Sequence, residues 1–370
     1  MNGRDMRPAG LLILSTVVLL AALAPGLAWR LIPLRPLGVL IVDKTVPDTT
    51  FRGHRAVIWL LNHLKVVHPA SHEPYNAAMD YSGFVPLTAR AWSVRPLPAD
   101  FLTRRIIYVA DTYGVRQADL EPPAAAEAGR LLYGGLTTAE ADLLESAARA
   151  GATVVAEFNT IGEPTSPEVR QRVEHLLGFR WSGWTGRRLH DLEEETPRWA
   201  VVGWEQQHQA RWPFRGPGLL LAHADGRIIV LGKDAIRGSV LDIVPTRAGR
   251  TLGMRRAPAP ETWFDVVESE GSTPLALYRL NLSDEGELAL RAAGLRIQFP
   301  AILRRDGAAS AYYLAGDFAS VPRVPGWTGL RWGGDFYRLR PAWSLDAGEA
   351  FFWRGYVPLL TSVVETVLGG

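Results

Sequence analysis

Three short apolar runs in this 370-residue chain each end in a carboxylate followed by a second polar group. Asp43 and Lys44 close the run Leu37–Val42, Asp111 and Tyr113 follow Arg105–Ala110, and Glu157 and Asn159 follow Thr153–Ala156. Such apolar runs read as buried strands, and in open α/β sheets ligands bind beyond the carboxyl ends of the strands. A carboxylate there can serve as general base, and an ammonium beside it can hold an anionic or oxyanion group. Asp43, Lys44, Asp111 and Glu157 are therefore the candidate catalytic residues, with Tyr113 and Asn159 as candidate ligand contacts. Lys44 gains weight from composition, because only three of the 40 basic residues are lysines (Lys44, Lys65, Lys233). A compact, titratable ammonium does chemistry that a guanidinium does not. The same groups also suit helix capping and pairing along a sheet edge, and residue types alone leave both readings standing.

A second set lies in Trp181–Arg188, which reads as a loop by its glycines. Trp184 and Arg187 are its candidate ligand contacts, since an indole face packs against sugar CH groups and against cations. The alternative is that these residues, with Trp199, Trp204 and Trp212, are packing pieces among the 13 tryptophans of the chain. His68, His72 and Glu73 have the spacing of a metal pair on a helix, but Pro69 falls inside that spacing, so no metal site is expected. There is no cysteine at all, which removes disulfides, cysteine zinc sites, iron–sulfur clusters and thiol nucleophiles together. No Gly-x-Ser-x-Gly elbow is present, and the run to Gly232 and Lys233 has the wrong spacing for a phosphate loop. No cofactor is expected. A net charge of +2 from 40 basic and 38 acidic residues gives no reason to expect a nucleic-acid partner.

The elements that must position these groups alternate. A helix is expected over Arg52–Leu64, capped by Thr49 or Thr50. Thr137 with Glu140 forms a capping box for a helix running to Ala150, with Gly151 at its end. Thr165 with Glu168, and Pro167 in the first turn, start a further helix that stops at Gly178. This rhythm predicts an α/β fold, a mainly parallel sheet flanked by helices. Later signals are richer in strand: a hairpin at Asp225-Gly226, strands at Leu275–Leu280, Gln298–Leu303 and Ala311–Ala315, and a helix from Asp284 to Ala293. Asp317, after the last of these strands, reads as a turn former or a rim carboxylate. A final helix, Leu345–Leu368, is expected to kink at Pro358. The expected division is 1–30, 31–245 and 246–370, with the last part separate or packed onto the second as one unit.

The segment Ile106–Gly162 resembles the class I glutamine amidotransferase-like superfamily. The residues that carry the resemblance are "IIYVADTYG", "YGGLTTAEADLLESAARAG" and "ATVVAEFNTIG". It implies a sheet of flavodoxin or amidotransferase type. It also implies a cysteine nucleophile at the third strand end, where this chain has Glu157, Phe158 and Asn159, so glutamine hydrolysis is not expected. The runs "WFDVV", "AYYLAGDF" and "FFWRGYVPLL" resemble bacterial exported or membrane-anchored proteins.

The N-terminus fits that resemblance. After Arg4 and Arg7 the chain runs apolar from Gly10 to Trp29, long enough for a bilayer at 1.5 Å per residue. An uncleaved anchor is expected ahead of a cleaved signal peptide, with the folded part in the periplasm or outside the cell. The expected partners are then the membrane, through this segment, and an envelope glycan or protein. Taken together, the sequence predicts an amidotransferase-like ligand- or partner-binding module of the cell envelope. Its alternative is an envelope glycan-acting hydrolase using the strand-end carboxylates and the tryptophan-rich segment.

Overall fold

The computed structural model describes residues 8–88, 91–120, 129–320 and 346–370. Arg4, Arg7 and Leu345, used in the expectations above, lie outside them. The strands that matter for the site begin with β1 (Val39–Asp43), β2 (Ser82–Pro86), β3 (Trp92–Arg95), β4 (Ile106–Asp111) and β5 (Thr153–Glu157). β6 (Phe179–Leu189), β7 (Gly218–His223) and β8 (Ile228–Leu231) follow, and then β9 (Ile236–Pro245), β10 (Ala257–Pro258) and β11 (Trp263–Ser269). β12 (Thr273–Leu282), β13 (Gln298–Arg305) and β14 (Ala311–Leu314) complete the set.

The main sheet, ten-stranded among the described residues, has the order β10-β9-β12-β13-β14-β5-β4-β1-β2-β3. Its middle is parallel: β14 pairs with β5, β5 with β4, β4 with β1 and β1 with β2. Both flanks are antiparallel. The fold is α/β, but the sheet is mixed, and this corrects the expectation of a mainly parallel, flavodoxin-type sheet. The reason lies in β14, a strand from late in the chain that docks beside β5 and carries an antiparallel extension with it. The sheet therefore draws strands from both sides of residue 245, and Pro258 sits in its edge strand. A second sheet, antiparallel throughout, has the order β8-β7-β6-β11. It meets the main sheet where Asp265 N donates to Ala315 O at 2.7 Å and Asp317 N to Trp263 O at 3.2 Å.

Local chemistry explains the helices. α1 is Pro8–Arg30, and α2 (Arg55–His63) is buried along Ala56–Leu61. α2 starts later than expected and no threonine caps it, because Phe51 takes a φ of +49° and breaks the chain away from helical geometry. α3 (Thr138–Arg149) has the expected capping box between Thr137 and Glu140. α4 (Pro167–Leu177) is capped by Ser166 rather than Thr165 and ends at Gly178 in the left-handed conformation. α5 (Arg198–His208) covers the second sheet, and α6 (Asp284–Ala292) is capped by Ser283. The last helical stretch is α7 (Ala347–Phe351), a π turn over Phe352–Tyr356, and α8 (Val357–Gly369). The irregularity expected at Pro358 is thus a π turn just ahead of it, where a residue without N–H leaves the ladder incomplete.

Two further expectations are corrected. Among the described residues no helix is long and apolar enough to cross a membrane. The anchor over Gly10–Trp29, and the localisation drawn from it, are therefore not supported. The last turn of α1 instead ties to the body: Trp29 Nε1 donates to His63 O at 2.9 Å, and Lys65 Nζ lies 3.5 Å from the Trp29 ring centroid. Trp181–Arg188 is not a loop but lies in β6, paired on both edges. Its glycines serve close approach. Gly183, at φ +86°, sits in a bulge, and a Cβ on Gly186 would lie 2.3 Å from the Phe264 ring.

At the junction of the sheets Asp265 is buried and accepts from Tyr313 Oη at 2.6 Å; burial pushes its carboxyl up to about 7. The folded protein keeps this proton up to that pH, whereas the unfolded chain releases it near about 4. Stability is therefore lost as pH rises across that interval. Asp265→Asn keeps the acceptor for Tyr313 and removes the titration. Urea midpoints measured from pH 4 to pH 8 should fall for the wild type by the equivalent of roughly 2–4 kcal/mol more than for the variant.

Candidate active site

The parallel strands deliver four carboxylates along one edge: Asp43 ends β1, Asp111 ends β4, Glu157 ends β5 and Asp317 follows β14. They are not equivalent. Asp43 is fully buried, with Oδ2 2.7 Å from His54 Nδ1 and Oδ1 accepting from Thr45 N at 3.0 Å. His54 Nε2 lies 2.8 Å from Ala77 O, and a carbonyl only accepts, so that nitrogen donates. Nδ1 then donates to Asp43 if the ring carries both protons, and accepts from a protonated Asp43 if it carries one. Gly53 makes room for the pair, since a Cβ there would lie 2.6 Å from Asp43 Oδ2.

Asp111 is held on three sides. Oδ1 accepts from Thr45 Oγ1 at 2.6 Å and from Tyr113 N at 2.7 Å, and Oδ2 accepts from Asn159 Nδ2 at 3.1 Å. Asn159 reaches this position from a left-handed turn, φ +68°. Burial is the main cause that pushes the Asp111 carboxyl up to about 7, and the charges of Asp43 and Asp317 add to it against the hydrogen bond from Thr45. Asp317 is also pushed up by burial, opposed by hydrogen bonding from Ser320 and by the cation Arg52. Asp111 and Asp317 are half-buried, so both keep a solvent-facing side.

Glu157 is fully buried and saturated. Oε2 accepts from the backbone N–H groups of Phe318 and Ala319, each at 3.0 Å, and Oε1 accepts a short hydrogen bond from Tyr108 Oη. Tyr108 Oη in turn meets Tyr356 Oη at 2.8 Å, in the π turn. Burial pushes the Glu157 carboxyl well above the usual carboxylate range. Its contacts hold the loop that presents Asp317.

Lys44 is buried with its ammonium 2.7 Å from both Gly135 O and a Glu140 carboxylate oxygen, and 5.0 Å from the Tyr133 ring centroid. It lines a cavity of about 260 Å³ with Tyr133 and Glu140. The structure thus brings Asp43, Asp111, Glu157 and Asn159 to one edge. Tyr113 joins them through its backbone N–H, while its exposed ring faces the Arg116 guanidinium at 5.6 Å. Trp184 and Arg187 are elsewhere, in β6. Trp184 is buried under Arg227, and Arg187 donates to Glu261 O at 3.2 Å. Among the described residues no group of three or more His, Asp and Glu side chains could hold a metal. His68 instead pairs with Asp80, Nε2 to Oδ2 at 3.1 Å.

No family model matches the sequence, and no curated protein matches it. Solved structures do. A β-galactosidase from Rahnella sp. R3 is 13% identical, with 76% of this chain and 29% of that chain covered and a TM-score of 0.33. An exo-β-1,4-mannosidase from Opitutaceae bacterium strain TAV5 is 11% identical over 77% of this chain and 32% of that one, TM-score 0.30. An α-L-fucosidase from Paenibacillus thiaminolyticus is 10% identical over 81% and 32%, TM-score 0.32. The chain spans about a third of the length of each, and at these TM-scores the likeness carries nothing about activity. The amidotransferase resemblance expected from Ile106–Gly162 is corrected on other grounds: no family model of that kind matches the chain, and β14 enters the sheet beside β5, which makes the sheet mixed.

Glu157→Gln can turn its oxygen to the two N–H groups and its amide toward Tyr108, so it should cost about 1 kcal/mol or less. Glu157→Leu orphans both N–H groups and should cost about 3 kcal/mol or more, with hydrogen exchange at Phe318 and Ala319 accelerated. Equal costs for the two variants would contradict the role given to this carboxyl.

Proposed function

We propose that the chain is a glycan-acting hydrolase whose working pair is Asp111 and Asp317. One observation carries this reading: two half-buried carboxyls share an edge but have different neighbours. Burial and the charge of Asp43 push both carboxyls up, but Asp111 also stands against Asp317, while Asp317 has Arg52 and Ser320 to oppose the rise. Environments that separate two carboxyls in this way divide the roles of acid and base. Asp111, protonated in part near neutral pH, gives its proton to the leaving-group oxygen. Asp317, its charge supported by Arg52, serves as base or nucleophile at the anomeric carbon. Asp43 is too buried to touch substrate; it keeps Asp111 protonated, and His54 keeps Asp43 in place. Thr45 and Asn159 fix the direction of the Asp111 carboxyl.

A second reading, a ligand- or partner-binding module, is favoured by Lys44 and Glu157, whose polar atoms are spent on internal partners. The two readings separate on turnover. With a panel of aryl glycosides and oligosaccharides, Asp111→Asn and Asp317→Asn should each reduce hydrolysis by about 100-fold or more. Asp43→Asn removes a negative neighbour, so the Asp111 carboxyl should titrate lower and the alkaline limb of the rate profile should move to lower pH. A panel left uncleaved by the wild type overturns the hydrolase reading and leaves the module.

A further inference from the structure

A cleft of about 1040 Å³ opens between the second sheet and the antiparallel flank of the main sheet, and neither Asp111 nor Asp317 lines it. That volume is at the upper end for small-ligand sites, which run to about 1,000 Å³. Its charged lining is three arginines and a histidine, Arg180, Arg227, Arg296 and His223, against one glutamate, Glu268. Arg180 is engaged with Glu268 and Glu270 on the surface. Arg296 is exposed in the turn after α6 and makes no hydrogen bond or ion pair among the described residues. Arg227 is placed by what lies beneath it: its guanidinium is 5.3 Å from the centroid of the buried Trp184 ring and pairs with Asp225 at 2.8 Å. His223 turns Nδ1 to Asp225 Oδ1 at 2.8 Å and packs its Nε2 edge against Gly183, where a Cβ would lie 2.5 Å away. That nitrogen has no hydrogen bond among the described residues. The lining also includes apolar side chains, among them Leu295, Phe299 and Trp181.

We propose that this cleft binds an acidic saccharide. The choice of a saccharide rests on the hydrolase reading above; the choice of an acidic one rests on the cleft alone. Carboxylate groups would meet Arg227, Arg296 and the free His223 nitrogen, which are charge-assisted partners for planar anions. A ring CH face would lie on the half-buried Trp181, as apolar sugar faces do on aromatic side chains, while Phe299 is buried against Phe264 and Tyr278 and backs the wall. Trp184, named in the sequence as a ligand contact, then acts as the support under Arg227 and not as the stacking surface.

The test is titration calorimetry on the full chain with a uronic-acid tetrasaccharide and a neutral tetrasaccharide of glucose. The expected result is heat from the acidic probe only, with affinity falling as salt rises. Arg296→Ala is at an exposed turn and Arg227→Gln at a hairpin tip, so both should fold and each should weaken binding by about tenfold. Asp111→Asn, outside the cleft, should bind like the wild type, so a failed hydrolysis assay leaves the binding result intact. Conversely, hydrolysis of neutral glycans without uronate binding would sink the cleft and spare the hydrolase. Equal binding of both probes, no binding of either, or arginine variants that bind like the wild type would each overturn the proposal.

Discussion

The buried carboxyl of Glu157 is the fixed point of this structure. It sits at the end of the central parallel strand, with water excluded from both oxygens, so every lone pair it keeps must be answered by the protein. Two of the answers come from backbone N–H groups at Phe318 and Ala319, in the loop after a strand that arrives more than 150 residues later. A third comes from Tyr108 on the neighbouring strand and is passed on to Tyr356 in the π turn. One side chain thereby holds together β4, β5, the loop after β14 and the last helical stretch. The widened turn at Phe352–Tyr356 is one helical way to carry the phenol inward, and π turns of this kind recur where a side chain must be placed with care.

Once that loop is pinned, an electrostatic conflict follows. Asp43, Asp111, Glu157 and Asp317 are brought to one edge by strand pairing, and like charges at such a spacing cannot all ionise freely. Each is relieved differently: Asp43 by His54, Glu157 by three donors, Asp317 by Arg52 and Ser320, and Asp111 only in part, by Thr45, Tyr113 N and Asn159. Burial still pushes up Asp111, Glu157 and Asp317 alike, and on Asp111 the charges of Asp43 and Asp317 add to it, taking that carboxyl to about 7. A carboxyl left in that state costs stability at neutral pH, and sites that do chemistry are where such costs are retained.

What was legible in the sequence was what is local. The capping box at Thr137 and Glu140, the turn at Asp225-Gly226, the glycine stop at Gly178 and the apolar runs ending in Asp43, Asp111 and Glu157 all depend on residues a few positions apart. What was not legible is long-range. Asp317 belongs to the site because β14 inserts beside β5, and nothing near it in sequence announces that pairing. The one available signal was its own run, an apolar strand followed by Gly-Asp, which left Asp317 readable as a turn former or a rim carboxylate. His54 was missed because a histidine beside an apolar helix gives no sign of facing a carboxylate eleven residues earlier. The glycines of Trp181–Arg188 misled, because glycine marks both flexible loops and strands that must approach a neighbour closely, and Gly186 under Phe264 is of the second kind.

The scarcity of lysine takes on a physical meaning at Lys44. Its site is narrow: a carbonyl from Gly135, a carboxylate from Glu140 and the face of Tyr133 converge on a single point. A point charge with three rotatable donors fits such a convergence, whereas a planar fork would need the partners spread out in one plane. Glu140 is the same residue that closes the capping box of α3, so the ammonium ties the end of β1 to the start of that helix and to the Tyr133–Gly135 turn. That turn lies against Gly114, where a Cβ would fall 2.0 Å from Tyr133 O, and Gly114 N in turn donates to the Thr45 hydroxyl that holds Asp111. An arginine here would move the turn, and the displacement would travel through Gly114 and Thr45 to the Asp111 carboxyl.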